Sequence, residues 1–449
     1  MPKYPPVSAL FTDFYELTMA AGYFANDLTG AATFSVSVRP SDRKRGYYVA
    51  AGLEDVLDIL ANFAFTPADL EFLRSTGSFS PAFLSFLADL RFTGDVVAMP
   101  EGTLFFPGEP FLEITAPIIE AQLLETVVLN TVGFQTMIAT KAARCVHAAQ
   151  GHPLVDFSLR RTQARDAGMK AARSTWLAGF MGTSNVLAGK TLGIPITGTM
   201  AHSFVTAFDS EREAFMAYAR LFPDATVLLI DTYDLIRGAE NAVQVARYLQ
   251  ENGHRLIGVR LDSGDMITGS HQVREVLDRA GFAEVKIYAS SGFDEYKIAE
   301  LLRAGALIDA FGVGTKVGVS ADAPFLDIVY KLARYGDRDV KKFSPGKISL
   351  AGRKQVFRNL NAAGRPVADI IGTRREAFAD AVALLEPVMR AGHVLGPSPT
   401  LADIRIRCGQ NIAELDVEFK SLQHPADFPI RISDRLSTLQ RDQSSSNPE

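Results

Sequence analysis

The chain has 449 residues, of which 47% are hydrophobic and 22% charged, with a formal net charge of −5 and two cysteines. Its length predicts two domains with large cores, and its negative net charge argues against nucleic acid as a partner. Two cysteines in this length also argue against a disulfide framework or a structural zinc site.

The first quarter of the chain is predicted to be a mixed α+β domain. Residues 11–24 read as a helix with Thr12 as its N-cap, residues 32–40 alternate like a strand, and residues 52–77 are helical. Residues 94–117 read as short antiparallel strands separated by glycine and proline turns. No run reaches the length of a membrane span or resembles a signal peptide, so we expect a cytoplasmic protein with no membrane partner.

A long helical stretch at residues 120–150 leads into four apolar runs that each end in polar, often glycine-rich residues. These runs are TVLLIDTYD, LIGVRLDSGD, VKIYASSGFDE and ALIDAFGVGTK. The segments between them carry apolar residues at helical intervals, so strands and helices alternate. This alternation predicts parallel strands and favours a parallel α/β barrel, whose functional loops follow the carboxyl ends of the strands.

After residue 325 the pattern becomes irregular, and residues 347–358 alternate like a strand again. We therefore expect an N-terminal α+β domain at 1–125, an α/β barrel at 126–325, and a C-terminal segment at 326–430 that returns to the first domain. The polar residues 431–449 are expected to form a disordered tail.

Charged residues end the strand LIGVRLD. Asp262 and Asp265 lie three apart around Gly264, so both carboxylates can face one point and hold a divalent cation with its phosphate ligand. Arg260 shares the strand face of Asp262 and can pair with it or with an anionic substrate. The alternative is a solvated turn with a helix cap.

Two glycine-rich loops follow consecutive strands. Gly312, Gly314 and Thr315 form one, and Ser291 and Gly292 belong to the other. Such loops let the backbone approach an anion with amide hydrogens directed at it. Each alone is often a plain turn, but together they match the phosphate site that barrels build from their late loops, and they favour a phosphorylated ligand.

Further cationic side chains follow other predicted strands. His202 is either a general base, a phosphate-accepting nucleophile, or a hydrogen-bonded structural residue. Adjacent residues on a strand point to opposite faces, and of Arg160 and Arg161 we expect Arg160 to meet a carboxylate or phosphate, beside Phe157. The basic residues at 341–354 form either a solvated face or part of an anion site.

Taken together, FSLRRTQ, GTSN, MAHSF, RLDSGD, ASSGFDE and FGVGTK closely resemble nicotinate phosphoribosyltransferase, a type II phosphoribosyltransferase, as does most of the chain to about residue 430. The resemblance implies an irregular barrel of about seven strands with an N-terminal open-sheet domain, in a homodimer with shared active sites. It also implies that nicotinate and phosphoribosyl pyrophosphate give nicotinate mononucleotide and pyrophosphate in NAD biosynthesis. ATP hydrolysis would be coupled to this reaction through a phosphohistidine.

The resemblance assigns roles to individual residues. His202 would be the phosphohistidine, and Asp262 and Asp265 would position Mg²⁺ and the ribose hydroxyls, with Arg260 beside them. The other implied contacts are the pyridine sandwich of Phe157 and Tyr15 of the partner subunit; the substrate contacts Arg160, Thr183, Ser184 and Ser203; the 5′-phosphate contacts Ser291, Gly292, Gly312, Gly314 and Thr315; and the polyphosphate contacts Lys342, Ser344 and Lys347.

Alternative functions remain open at this point. Nicotinamide phosphoribosyltransferase has an aspartate where this chain has Ser184, and a carboxylate there would repel nicotinate, so serine favours the acid. A barrel phosphosugar lyase or isomerase would need a Schiff-base lysine or a base at a strand end, for which Lys316 is the obvious candidate. A third alternative is a catalytically silent ligand-binding homologue.

Overall fold

The computed structural model describes residues 7–40, 45–342 and 349–445. These residues form two compact units. The first contains the described residues up to Thr140 and those from Phe325 onward, and the second contains Lys141–Pro324. The border between them lies inside a long proline-free helix, whereas the sequence pattern placed a border before that helix, at residue 125.

The helices of the described residues are, in chain order, α1 (Phe14–Ala25), α2 (Leu53–Ala61), α3 (Pro67–Ser75), α4 (Pro81–Asp89), α5 (Ile118–Gln122), α6 (Glu125–Ala148), α7 (Arg165–Leu177), α8 (Val186–Leu192), α9 (His202–Thr206), α10 (Glu211–Leu221), α11 (Leu235–Glu251), α12 (Met266–Arg279), α13 (Glu295–Arg303), α14 (Thr315–Gly318), α15 (Leu401–Glu414) and α16 (Asp434–Ser445). A short 3₁₀ turn covers Leu159–Arg161.

The strands are, in the same order, β1 (Ala31–Val38), β2 (Tyr48–Val49), β3 (Asp95–Ala98), β4 (Leu104–Phe105), β5 (Pro110–Pro117), β6 (Leu154–Asp156), β7 (Gly182–Thr183), β8 (Val227–Leu229), β9 (Gly258–Leu261), β10 (Lys286–Ser290), β11 (Ala310–Val313), β12 (Ile328–Tyr335), β13 (Arg338–Asp339), β14 (Lys354–Leu360), β15 (Pro366–Thr373), β16 (Ala381–Ala383), β17 (Glu386–Arg390), β18 (His393–Val394) and β19 (Ile430–Ile432).

The first unit is built on a seven-stranded antiparallel sheet with the strand order β13-β12-β1-β5-β3-β17-β18. Strands from both ends of the chain lie side by side in it, because β12 pairs with β1 and β17 pairs with β3. Phe34 and Tyr330, on β1 and β12, stack with their ring centroids 4.6 Å apart. The C-terminal part of the chain thus completes the N-terminal sheet, which confirms that prediction. A second sheet has the order β16-β14-β15-β19.

The disordered tail expected from residue 431 is wrong for the described residues, which form the end of β19 and then α16. Two contacts fix this segment despite its polar composition. Leu436 is fully buried, and the Gln440 side chain exchanges hydrogen bonds with the backbone of Ala351, at 3.0 and 3.1 Å. Long-range anchors of this kind leave no mark in local composition.

The second unit contains a six-stranded parallel sheet with the order β7-β6-β11-β10-β9-β8. Its last four strands in the chain are the four apolar runs, and α11, α12 and α13 connect them as predicted. The α/β class is confirmed, but the sheet is open, since the described residues show no pairing between the edge strands β7 and β8. These edge strands have only two and three residues.

Three helices of this sheet begin at aspartate N-caps. The carboxylates of Asp234, Asp265 and Asp294 accept hydrogen bonds from the first turns of α11, α12 and α13. An N-cap carboxylate satisfies amide hydrogens that have no partner inside the helix. Much of the acidic character of the strand ends therefore belongs to helix starts.

None of the helices in the described part of the chain is both long and apolar enough to cross a membrane.

Candidate active site

A cavity of about 710 Å³ lies where the strands of the parallel sheet end. Its wall contains twelve of the residues predicted for the site: Phe157, Arg160, Ser184, His202, Ser203, Arg260, Asp262, Ser291, Gly292, Gly312, Gly314 and Thr315. Ser290, which the sequence places in the same loop as Ser291 and Gly292, also lines it, as do six residues that were not predicted as site residues: Leu159, Arg161, Gly198, Thr199, Met200 and Ala201. Side chains from five strand ends therefore meet around one space.

The other predicted residues do not line this cavity. Thr183 is buried behind it, and Asp265 caps α12. Tyr15 and Lys342 belong to the first unit. Ser344 and Lys347 lie outside the described residues.

Phe157 is held against the backbone of β11. Its amide donates to the Val313 carbonyl at 2.8 Å. A Cβ atom at Gly312 would lie only 2.5 Å from the Phe157 ring. A side chain at position 312 would therefore displace the Phe157 ring, which glycine leaves in place.

Both Arg160 and Arg161 line the cavity, which corrects the expectation that they point to opposite faces. The alternation applies to strands, but β6 ends at Asp156 and the arginines lie in the 3₁₀ turn that follows. Neither guanidinium forms a hydrogen bond or an ion pair with another described residue. Two cationic groups are thus available to an anionic ligand.

Arg260 brings a third guanidinium to the cavity wall. Its Nη2 donates to the Met200 carbonyl at 2.7 Å, while its buried Nε has no hydrogen-bond partner among the described residues. Burial lowers the pKa of Arg260, and the carboxylates of Asp262 and Asp231 oppose this change. A buried donor without a partner is costly and marks a place where a ligand acceptor would be stabilised.

Asp262 lies at the centre of a polar network. It accepts a hydrogen bond from the Ser290 hydroxyl, and its own amide donates to Asp231 Oδ2 at 2.7 Å. Ser263 also donates to this oxygen, whereas Asp231 Oδ1 is buried with no partner among the described residues. Asp231 was not predicted as a site residue, although its position at the end of a strand-like run was a signal.

Asp262 lines the cavity, whereas Asp265 does not and instead caps α12. The Asp265 carboxylate accepts from the Thr268 hydroxyl at 2.6 Å and the Ile267 amide at 3.0 Å. These hydrogen bonds lower the pKa of Asp265. Within the described residues, no three His, Cys, Asp or Glu side chains are arranged to hold a metal ion.

His202 begins α9 and is half-exposed at the cavity wall. Its Nδ1 lies 3.1 Å from Thr232 Oγ1, and its Nε2 lies 3.7 Å from Asp262 Oδ2. One ring nitrogen therefore meets a hydroxyl, and the other faces a carboxylate across a longer gap.

The loop after β10 has an unusual backbone. Ser291 has a φ of 132° and Gly292 a φ of 61°, and a positive φ is uncommon for a residue with a side chain. Nearby, Lys316 Nζ lies 2.8 Å from Asp294 Oδ2, in an ion pair outside the cavity wall. This pairing counts against Lys316 as the nucleophile of a lyase or isomerase.

Asp156, the last residue of β6, was missed by the sequence analysis. Its buried carboxylate accepts from the Ser158 amide and the Thr183 hydroxyl, both at 2.8 Å. Burial raises the pKa of Asp156, and these hydrogen bonds oppose the rise. The pattern points to residues that follow a strand, and Asp156 is still part of its strand.

Known proteins match the chain along most of its length. Residues 10–133 match the nicotinate phosphoribosyltransferase N-terminal domain, residues 152–334 the nicotinate phosphoribosyltransferase family, and residues 377–440 the corresponding C-terminal domain. Nicotinate phosphoribosyltransferase pncB2 of Mycobacterium tuberculosis (strain ATCC 25618 / H37Rv) is 49% identical, over 96% of this chain and 92% of that protein. Nicotinate phosphoribosyltransferase of Bacillus subtilis (strain 168) is 38% identical, over 95% of this chain and 93% of that protein.

A solved structure agrees with these relatives. The crystal structure of human nicotinic acid phosphoribosyltransferase superposes with a TM-score of 0.87 and 31% identity, covering 96% of this chain and 99% of the human one. The sequence matches and the superposition both extend over nearly the whole chain. The chain therefore belongs to the nicotinate phosphoribosyltransferase family.

Proposed function

We propose that the protein joins nicotinate to phosphoribosyl pyrophosphate and releases nicotinate mononucleotide and pyrophosphate, as a step of NAD biosynthesis. The observation that carries this proposal is the charge of the cavity wall. Among the described residues that line the cavity are three arginines, Arg160, Arg161 and the partly unpaired Arg260, and one carboxylate, that of Asp262. Both substrates are anions, and phosphoribosyl pyrophosphate carries several charges, so this excess of cations suits them.

The reaction forms one bond and breaks another. The lone pair of the pyridine nitrogen forms a bond to C1 of the ribose, while the bond from C1 to the pyrophosphate oxygen breaks and its electron pair leaves with pyrophosphate. No proton has to be removed from nicotinate. The protein's task is to hold the two partners in line and to stabilise charge on the leaving group, which arginines at fixed positions can do.

Different parts of the cavity wall suit different parts of the substrates. The loops containing Gly292 and Gly314 leave room for the 5′-phosphate to approach the backbone. Phe157 offers a ring face for stacking, and Ser184 offers a neutral wall to the nicotinate carboxylate. A carboxylate in place of Ser184 would repel the acid, so its absence favours nicotinate over nicotinamide.

A homodimer would complete the nicotinate site with Tyr15 of the partner subunit. Tyr15 and its neighbour Phe14 are 48% and 56% exposed at the start of α1. Exposed aromatic side chains side by side are typical of surfaces that another protein covers. The exposed Lys342, with Ser344 and Lys347 beyond the described residues, would help to hold the polyphosphate.

Magnesium fits the carboxylates at the cavity. Asp262 lines the wall, and the Oδ1 atom of Asp231 is buried without a partner among the described residues. Magnesium is commonly held by one or two carboxylates together with substrate phosphates, so these two residues would hold it, with Asp265 left to cap α12. The ion would neutralise charge on the polyphosphate.

ATP hydrolysis would be coupled to the reaction through a phosphohistidine at His202. The half-exposed imidazole lines the cavity with Thr232 and Asp262 on either side. Such a site leaves a ring nitrogen accessible to a phosphate donor. The proposed location is the cytoplasm, in keeping with two buried cysteines, Cys145 and Cys408, that are not joined in a disulfide.

The test is a product assay with phosphoribosyl pyrophosphate and either nicotinate or nicotinamide, each with and without ATP. We expect nicotinate mononucleotide to form, and to form faster with ATP. Preference for nicotinamide, or no mononucleotide from either base, would refute the proposal. For the coupling, His202→Ala should still form the mononucleotide slowly without benefit from ATP, and mass spectrometry should find phosphate on His202 of the wild type.

A further inference from the structure

Asp156 connects two loops that form part of the cavity wall. Its Oδ1 accepts from the Ser158 amide in the loop after β6, and its Oδ2 accepts from the hydroxyl of Thr183 in β7, both at 2.8 Å. Its main-chain carbonyl accepts from the Ser184 amide at 2.9 Å. One buried residue thus binds both loops through three oxygen atoms.

Thr183 links Asp156 to the start of the next helix, α8. Its side chain is fully buried, so the hydroxyl cannot reach a ligand in the cavity. The hydroxyl accepts from the Asn185 amide at 3.1 Å while it donates to Asp156. Asn185 in turn caps α8 through Ala188 at 3.1 Å. The loop on either side of Ser184 is therefore fixed by side chains that do not touch the cavity.

These two loops carry a distinct part of the cavity wall. Ser184 follows Thr183 directly, and the turn with Arg160 and Arg161 follows Ser158. In the described residues, neither the Asp156 carboxylate nor the Thr183 hydroxyl bonds to the glycine loops after β10 and β11. The loop after β6 lies next to the loop after β11 in the sheet, but the two side-chain oxygens of Asp156 bond only to the loop after β6 and to β7.

Burying a carboxylate at the end of a strand is energetically unfavourable by itself. Taking it out of water costs free energy that hydrogen bonds must offset. In return, a carboxylate can accept from two donors at once, which no apolar side chain can do. The Ser158 amide and the Thr183 hydroxyl are the two donors that fix the two loops.

We infer that Asp156 and Thr183 are positioning residues that hold Ser184 and the Arg160–Arg161 turn in place, and that their loss weakens nicotinate binding more than that of phosphoribosyl pyrophosphate, which the glycine loops also hold. The inference rests on the proposed function. It assigns to Thr183 a role behind the wall rather than the substrate contact that the family resemblance implied.

The test compares Thr183→Val with Thr183→Ser in the full-length protein. Valine keeps the shape of threonine and removes the hydroxyl, so KM for nicotinate should rise about tenfold while KM for phosphoribosyl pyrophosphate changes less than about twofold. Serine keeps the hydroxyl and should restore KM for nicotinate. Asp156→Asn should also raise KM for nicotinate, and the double variant should be less than additive, because both changes break one hydrogen bond.

Thr175→Val is the matched control. Thr175 is also buried in the second unit, and its hydroxyl donates to the Ala172 carbonyl within α7, away from the cavity. This variant should lower the melting temperature about as much as Thr183→Val and leave both KM values unchanged.

Two results would overturn the inference. One is an unchanged KM for nicotinate in Thr183→Val and Asp156→Asn, and the other is an equal rise of both KM values, as general loosening would cause. If Thr183→Val does not fold, the ratio of KM for nicotinate to KM for phosphoribosyl pyrophosphate in Asp156→Asn decides alone. A wild-type protein that makes no nicotinate mononucleotide would refute the proposed function. If the wild type is active and the variants have the same KM ratio as the wild type, only the inference is refuted.

Discussion

Two buried arginines, one in each unit, differ in how completely their guanidinium groups are hydrogen-bonded. Arg358 of the first unit donates to both carboxylate oxygens of Asp369, at 3.0 and 2.6 Å, and to the Leu104 carbonyl at 2.9 Å. Arg260 of the second unit donates to Met200, and its Nε has no partner among the described residues. Burial lowers the pKa of both groups, but Asp369 more than reverses this for Arg358, while the pKa of Arg260 stays below its usual value.

The difference separates an arginine that serves the fold from one that serves a ligand. A guanidinium whose three nitrogens all have hydrogen-bond partners stabilises the structure around it. One that keeps an unused donor beside a cavity is less stable alone and gains when an anion arrives. Substitutions of the two arginines and of residues near them should show whether the two roles are separate.

The largest effect is expected from Arg358→Met on stability. The substitution leaves the Asp369 carboxylate buried without its partner, which typically costs about 3–5 kcal/mol. The free energy of unfolding from urea titration should fall by that amount, with turnover per folded molecule unchanged. In the control Arg358→Met/Asp369→Leu, most of the loss should return. Lost turnover at full stability would mean that Arg358 also serves a ligand.

Arg260→Met should have the opposite effect to Arg358→Met, with lower activity and unchanged or higher stability. Loss of a cation beside the leaving group should lower kcat/KM at least about 100-fold, or about 2.7 kcal/mol of transition-state stabilisation. The melting temperature should stay the same or rise, since an incompletely bonded buried charge is removed. Arg260→Lys keeps the positive charge but lacks the planar guanidinium, so its kcat/KM should lie between those of the wild type and Arg260→Met. If Arg260→Met instead unfolds the protein and spares kcat/KM, the comparison is wrong.

The cluster around Arg358 should also respond to pH through Glu109. Burial, followed by the nearby Asp369, raises the pKa of Glu109 well above its usual value. The folded protein keeps this proton where an unfolded chain has lost it, so the stabilisation is full below the ordinary glutamate pKa and is lost as pH rises toward the folded one. Stability should fall by up to about 1.4 kcal/mol per pH unit from this group.

The measurement for Glu109 is the free energy of unfolding between about pH 5 and about pH 8. Glu109→Gln cannot ionise and should give a flatter profile than the wild type. The same slope in both proteins would show that Glu109 is already ionised in the folded state.

The smallest effect is expected from Ser184→Asp in the cavity. A new carboxylate there would repel that of nicotinate and compete for the unpaired arginines, so the preference for nicotinate over nicotinamide should fall about tenfold or more. Ser184→Asn has a similar shape without the charge and should change this preference less. An unaltered ratio of the two kcat/KM values in Ser184→Asp would mean that residue 184 does not face the ring substituent.

Local pattern was sufficient for much of the fold and site. The strands β8 to β11 were found because each apolar run ends in polar residues, and the residues just after such strands meet at one edge of the sheet. This geometry is why Asp262, Gly292 and Gly314 lie at the cavity as predicted.

The differences from expectation arose where a side chain bonds to a neighbour that the pattern does not reveal. Asp265 and Thr183 do not line the cavity, because one caps α12 and the other bonds to Asp156. Arg161 was predicted to point away from the ligand because the sequence pattern suggested that β6 continues past Asp156. The end of that strand depends on contacts with β11, which is distant in sequence.

The interleaved sheet of the first unit has a consequence for synthesis on the ribosome. The strands β1, β3 and β5 are made early, but their neighbours β12 and β17 follow only after the whole of Lys141–Pro324. The second unit is continuous in the chain and can fold as soon as it emerges, while β1 and β3 wait with open edges. Open strand edges are sites of aggregation. A nascent chain halted near residue 324 would therefore be a substrate for chaperones, although its cavity-forming segment is already complete.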